Sequence, residues 1–292
     1  MIINAIETCS TSANRVALVT GANKGIGFCI ALALASSGLF HEVILGCRDS
    51  GRGNRAVQEI QQNMVVSVPD VDTQVSFLPL DVGNKTSHTQ FRLLLEEKLD
   101  DNKKLAVLVN NAGIAFRSSD PTPYKDKAKQ ALDVNFRGAV DLTEELLPLL
   151  RRADDARIVN VATNYPQQIK SQELRQKFTD PTLTIKKLQA LVNQFEQDAH
   201  SETYVQNGWG SSPYGPYGIS KLALVAATKV WAREERGIKV NCFNPGFCKT
   251  DLTANNEQGR PPSDGAKTGV WLATTKDCPT GEFFQDMQPS DW

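Results

Sequence analysis

Histidine is scarce in this chain. The three residues His41, His88 and His200 stand far apart, with no spacing that would gather them round a metal or set up a nucleophile–base–acid triad. Cysteine is limited to six positions, Cys9, Cys29, Cys47, Cys242, Cys248 and Cys278, with no Cys-x-x-Cys pair among them. Scattered thiols beside apolar runs indicate reduced residues of a cytoplasmic protein, and neither a disulfide framework nor a zinc site, so no metal is expected. No apolar run approaches the roughly 20 residues that cross a bilayer, which argues against a membrane protein. The formal net charge is only -1 and no basic stripe is visible, which excludes a nucleic-acid footprint. Residues 1–14 are too short and too poor in Lys and Arg for a signal or transit peptide and read as an N-terminal extension.

What the chain does have is an ordinary globular composition, 40% hydrophobic and 22% charged, with a regular alternation of patterns. Short β-branched runs at 16–20, 42–45, 74–80, 106–110, 157–162, 239–243 and 282–285 read as strands, most of them apolar throughout. Strands buried on both faces have that character. Helical periodicity falls between them, at 27–36, 87–98, 125–149 and 219–235. This succession predicts an α/β fold, a doubly wound parallel sheet of the Rossmann type, as a single domain over 15–292. One stretch breaks the rhythm, a helical insertion at about 164–213 in which Ile185, Leu188, Leu191, Val192, Phe195 and Ala199 recur at helical spacing. It is either a surface insertion packed on the core or a lid that shapes a substrate site.

The run from Val16 to Thr20 passes through Gly21, Asn23, Lys24, Gly25, Ile26 and Gly27 into a helix. Glycines at a strand-to-helix turn let a pyrophosphate approach the helix N-terminus, where free N–H groups and the helix dipole favour an anion. An NAD-specific site would carry an acid at the end of the second strand for the ribose 2′-hydroxyl. Here Cys47 and Arg48 stand there, with Lys24 in the turn, and Asp49 is expected to point away. Two cations suit a 2′-phosphate, so the expected cofactor is NADPH.

Tyr217 and Lys221 lie four residues apart on an expected helix, so phenol and ammonium share a face. A neighbouring cation lowers a tyrosine pKa, which suits a general acid. Tyr214 has Gly218 at the same spacing and reads as a pocket wall.

Together, Thr20–Gly27, Asn110-Asn111-Ala112-Gly113, Tyr217-x-x-x-Lys221 and Asn244-Pro245-Gly246 resemble the short-chain dehydrogenase/reductase family, in that family's order. Asn110–Phe116, Asp120–Tyr124, Glu145–Leu150, the long insertion and Gly208-Trp209 are similar to its carbonyl reductase branch. The resemblance implies that Tyr217 protonates the carbonyl oxygen and that Lys221 binds the nicotinamide ribose and depresses the tyrosine pKa. It implies that Asn135 anchors a water linking the lysine to solvent. It places Asp81, Val82, Asn111, Ala112 and Gly113 on the adenosine side. Pro245, Gly246 and Thr250 would hold the nicotinamide carboxamide and pyrophosphate.

The family's usual Ser-Ser after the fifth strand is replaced by Ala162-Thr163. Threonine keeps a hydroxyl donor for the substrate carbonyl, while its methyl restricts χ1. Candidate pocket walls are Tyr165, Trp209, Tyr214 and Phe247. Cys248 is either a packing residue or a reactive thiol near the nicotinamide. The expected function is NADPH-dependent reduction of ketones, aldehydes or quinones. A non-catalytic NADPH sensor and a reductase specialised for one terpenoid, alkaloid or steroid ketone remain alternatives. The insertion is expected to cover the family's dimer surface and leave a monomer.

Overall fold

A computed structural model of the chain describes residues 14–99, 102–164 and 169–292. Residues 1–13 of the expected extension lie outside that set. The chain begins with β1 (Arg15–Thr20), α1 (Gly25–Ser36), β2 (Glu42–Cys47), α2 (Ser50–Ser67) and β3 (Gln74–Pro79). It continues through α3 (Lys85–Lys98), β4 (Lys104–Asn110), α4 (Tyr124–Leu132), α5 (Ala139–Leu150) and β5 (Ala156–Val161). The insertion supplies α6 (Gln172–Thr179) and α7 (Ile185–His200). Then come α8 (Gly215–Glu234), β6 (Ile238–Asn244), α9 (Pro262–Thr274), β7 (Phe283–Gln285) and β8 (Gln288–Pro289).

The strands form one sheet in the order β3-β2-β1-β4-β5-β6-β7-β8, parallel except for the antiparallel β7–β8 hairpin. Alternating side chains explain why the strands are apolar throughout. Val16 and Leu18 enter the core beneath α3, α4, α5, α7 and α8, while Ala17 and Val19 enter the one beneath α1, α2 and α9. Strand order reverses between β1 and β4, so the loops beyond these two strands diverge and leave a crevice at their carboxyl ends.

The expected helix over 125–149 is not continuous. Between α4 and α5 the chain makes a π-helical turn, Asp133–Gly138, which shifts the register. The buried positions Ala131, Leu132, Asn135, Phe136, Ala139, Val140 and Thr143 keep helical spacing through the turn, so the sequence pattern shows no break. The backbone at Gly138 lies against the Val82 carbonyl, a contact that leaves no room for a Cβ. The expected helix at 219–235 starts earlier, at Gly215, with Pro216 in its first turn, where a missing N–H loses nothing. Consequently Tyr217 sits within the first turn of α8.

Of the two readings of the insertion, its helices follow the first. Ser171 and Thr184 cap α6 and α7 through their side-chain oxygens. Leu188, Leu191, Val192, Phe195 and Ala199 of α7 are buried in the same core as Ile219, Leu222 and Ala226 of α8. Arg137 in the π-helical turn secures the outer edge by donating to Asn193 and Glu196 of α7.

Candidate active site

At the carboxyl ends of the strands lies a cleft of about 1140 Å³, room for a dinucleotide and a small substrate. Its floor is the glycine turn. Gly21 has φ +64°, and a Cβ there would stand 2.9 Å from the Ala112 Cα, so any side chain would push β1 and β4 apart. Thr20 and Asn111 stitch the two strand ends together: Thr20 Oγ1 accepts from the N–H groups of Asn111 and Ala112 at 3.0 Å each. Asn111 Nδ2 donates to the Thr20 carbonyl at 2.8 Å. The Asn111 amide is therefore a tether that shapes the cleft, with its donors directed into protein. Lys24 precedes α1 without a side-chain cap, and no acid occupies the first turn, so the leading N–H groups remain available to an anion.

At the tip of β2 the structure separates the two expected cations. Arg48 lines the cleft, exposed and with no ion-pair partner among the described residues. Lys24 is held by Asp251 at 2.5 Å across the cleft, so it is not the free cation its place in the turn suggested. Asp49 turns away to cap α2, accepting from Arg52 N at 2.8 Å. Asp81, Val82, Pro245, Gly246 and Thr250 line the same cleft, as do Asn23, Gly25 and Ile26. Gly27, in α1, packs behind it against the Asn111 side chain.

On the opposite wall the cleft gathers Thr163, Tyr217 and Lys221. Lys221 is only 3% exposed and donates to the Val161 carbonyl at 2.8 Å. Burial pulls its pKa down to about 8 and pushes Tyr217 up to about 12. This reverses the expected lowering of the tyrosine. Desolvation of the phenolate dominates, and the ammonium is directed to a carbonyl and not to the phenol. The phenol is therefore protonated at neutral pH, the form a proton donor needs. Tyr217 Oη has no hydrogen-bond partner among the described residues.

Asn135 stands behind this group and not in the cleft. Its Nδ2 donates to the Ile114 carbonyl at 2.9 Å and to Ser220 Oγ at 3.0 Å, and its Oδ1 accepts from Ile114 N at 2.8 Å. Ser220 Oγ donates in turn to the Tyr217 carbonyl at 2.7 Å. The asparagine thus ties the loop after β4 to the helix that carries Tyr217 and Lys221. Between Asn135 and Lys221 sits Gly113, where a Cβ would lie 3.1 Å from Oδ1 and 3.3 Å from Nζ. The bare glycine lets the loop after β4 pass close to both the Asn135 amide oxygen and the Lys221 ammonium.

Of the expected pocket walls, Tyr214 and Phe247 line the cleft, 47% and 54% exposed. Tyr165 lies outside the described residues. Trp209 is a correction: it is 2% exposed, packs against Phe178 and Phe195, and donates its indole N–H to Asp198 at 2.7 Å. A buried indole needs such a partner, and the insertion provides both the apolar slot and the acceptor. Cys248, at the cleft, is 3% exposed and donates its thiol to the Pro245 carbonyl at 3.2 Å, and burial raises its pKa, which favours the packing role over a reactive thiol. Phe116 and Leu252 also line the cleft, a placement that no spacing in the sequence revealed. No group of three metal-ligating side chains occurs among the described residues, and no described helix is long and apolar enough to cross a membrane.

Known proteins resemble this chain in sequence and in fold. A family model described as short chain dehydrogenase matches residues 15–172. Carbonyl reductase (NADPH) 1 of Rattus norvegicus is 37% identical over 289 residues, covering 95% of this chain and 98% of the relative. Its Homo sapiens counterpart is 35% identical over 295 residues, with 97% and 100% covered. Among solved structures, salutaridine reductase from Papaver somniferum superposes with a TM-score of 0.81 at 29% identity, covering 93% of this chain and all of that one. Menthone neomenthol reductase from Mentha piperita gives 0.76 at 27% identity, covering 94% and 99%. With a matching family model over more than half its length and relatives spanning nearly all of it, this chain belongs to the short chain dehydrogenase family.

Proposed function

We propose that this protein reduces ketone, aldehyde or quinone carbonyls to alcohols with NADPH. The observation that carries the reading is the meeting of Tyr217, Lys221 and Thr163 in one cleft with the glycine turn and the unpaired Arg48. The curated relatives named carbonyl reductase (NADPH) support it. NADPH, when bound, supplies the hydride. Everything else falls to the chain. Gly21–Gly27 and the leading N–H groups of α1 receive the pyrophosphate, and Arg48 receives the 2′-phosphate. Pro245, Gly246 and Thr250 face the nicotinamide end. Tyr217, protonated at neutral pH, donates its proton to the carbonyl oxygen, and the Thr163 hydroxyl donates a second hydrogen bond to the same atom. Lys221 binds the ribose, and a water anchored by Asn135 links the lysine to solvent and returns the proton. Tyr214, Phe247, Phe116 and Leu252 give the substrate an apolar surround.

With Lys24 engaged by Asp251, Arg48 carries most of the choice between nucleotides. NADPH is expected to bind at least ~10-fold more tightly than NADH, about 1.4 kcal/mol. Arg48→Asp should erase or reverse that ratio in a fluorescence titration. Equal affinities in the parent protein would refute the assignment of Arg48. Turnover screens with ketones, aldehydes, quinones and individual terpenoid, alkaloid and steroid ketones identify the substrate; activity on a single ketone alone would mark a specialised reductase.

The stripe on α7 is satisfied within the chain, which supports a monomer of 32.0 kDa, since the patch a symmetric partner would share is covered. Light scattering after size exclusion checks this, and a concentration-independent mass of twice that value would contradict it. The described cysteines are all free, which suits the reducing cytoplasm.

A further inference from the structure

The turn that faces the nicotinamide end is held from behind by a residue outside every motif. Arg260 lies in the loop before α9 and does not line the cleft. Its Nε donates to the Pro245 carbonyl at 2.7 Å, its Nη2 donates to the same oxygen, and its Nη1 donates to Asp286 Oδ1 at 2.6 Å. Cys248 Sγ is a third donor to the Pro245 carbonyl, at 3.2 Å. The backbone is joined as well: Arg260 N donates to the Phe247 carbonyl and Lys249 N to the Arg260 carbonyl, each at 2.9 Å. A Cβ on Gly246 would fall 2.9 Å from Arg260 Nε, so the guanidinium lies directly against the glycine backbone, where φ is +73°.

Asp286 aims the guanidinium. It sits in the turn between β7 and β8, where Asp286 and Met287 hold φ of +49° and +61° without being glycine. Such a conformation persists only where its surroundings enforce it. Here Met287 N donates to Thr268 Oγ1 of α9 at 3.1 Å, and Asp286 binds Arg260. The hairpin at the sheet edge thereby reaches the Pro245 carbonyl through one rigid planar fork.

We propose that Arg260, aimed by Asp286, is a positioning residue for hydride transfer. By fixing the Pro245 carbonyl it sets the orientation of the peptide groups of Pro245–Phe247 that face the cleft. The inference rests on the proposed function and on those residues meeting the nicotinamide end. Arg260 touches neither substrate nor cofactor, and its effect is on geometry. A misplacement of about 1 Å can lower a rate by ~10²-fold.

The test uses the full chain with Arg260→Gln, Arg260→Lys and Asp286→Asn. NADPH affinity comes from its fluorescence, and kcat and carbonyl KM from turnover. The isotope effect comes from NADPH deuterated at the transferred position. Arg260→Gln is expected to lower kcat by about 10- to 100-fold with carbonyl KM within about threefold, and to enlarge the isotope effect as hydride transfer becomes limiting. Arg260→Lys should recover part of the rate, since an ammonium still joins Asp286 to the carbonyl. Asp286→Asn should fall between parent and Arg260→Gln. A folded Arg260→Gln protein with the parent kcat and isotope effect would overturn the proposal, even if its thermal midpoint drops. Should Arg260→Gln not fold, Asp286→Asn decides by the same two readouts, unchanged values overturning it. A parent protein that neither binds NADPH nor reduces carbonyls would overturn the proposed function instead, a result visible before any variant is made.

Discussion

Tyr217→Phe is expected to lower kcat for carbonyl reduction by about 10²–10⁴-fold while leaving NADPH affinity within about threefold. The substitution removes the proton that the proposed mechanism transfers to the substrate oxygen and keeps the ring in the first turn of α8. No hydrogen bond of Tyr217 Oη to the described protein is lost, so the fold has no stake in the hydroxyl. Burial holds the phenol up to about 12, which makes the parent enzyme a proton donor throughout the neutral range. The rate of reduction should therefore show no descending limb from Tyr217 between pH 6 and 9, as a pH profile of kcat reads directly. Retention of more than about a tenth of kcat by the phenylalanine variant would remove Tyr217 as the principal acid.

Lys221→Met is expected to abolish turnover and yet to stabilise the unliganded protein near pH 7 by about 1–2 kcal/mol. The ammonium is buried at 3% exposure, and its pKa falls from 10.5 to about 8. Below pH 8 the folded protein carries a buried charge with one carbonyl acceptor, Val161, whereas methionine fills the same channel without that penalty. The orphaned Val161 carbonyl offsets part of the gain. Between pH 8 and 10.5 the unfolded chain binds more protons at this site than the folded one, so stability rises with pH across that window. The advantage of the methionine variant should accordingly shrink from pH 7 to pH 10. Tyr217 acts in the opposite direction only above pH 10, where its raised pKa begins to matter. Calorimetry at several pH values checks both signs. A variant less stable than the parent at pH 7 would show that Lys221 contributes to the unliganded fold instead of being carried by it for catalysis.

Much of this was legible in the residues. The apolar strands and the glycine turn followed from burial on two faces and from backbone freedom, both of which leave a local signature. Tyr217 and Lys221 were readable because helical spacing fixes which side chains share a face. The π-helical turn at Asp133–Gly138 was not, because Ala128, Ala131, Leu132, Asn135, Phe136, Ala139, Val140 and Thr143 keep ordinary helical spacing across it. An aromatic ring suits a substrate wall and a helix-packing slot equally, and only Asp198 as its acceptor assigns Trp209 to the slot. Lys24 and Asp251 stand far apart in sequence, so their ion pair could not be seen, nor could the bond from Asp286 to Arg260. Helical spacing reports that Tyr217 and Lys221 are near each other and says nothing of the desolvation that raises the tyrosine pKa.

The most direct test is NADPH oxidation by the purified protein with ketones, aldehydes and quinones, followed by absorbance with the alcohol quantified in parallel. Saturable consumption of NADPH that depends on the carbonyl, with one alcohol formed per nucleotide and loss of the signal in Tyr217→Phe, is the expected result. Tight binding of NADPH with no carbonyl-dependent consumption across the panel would contradict it and leave a nucleotide-binding protein without this chemistry.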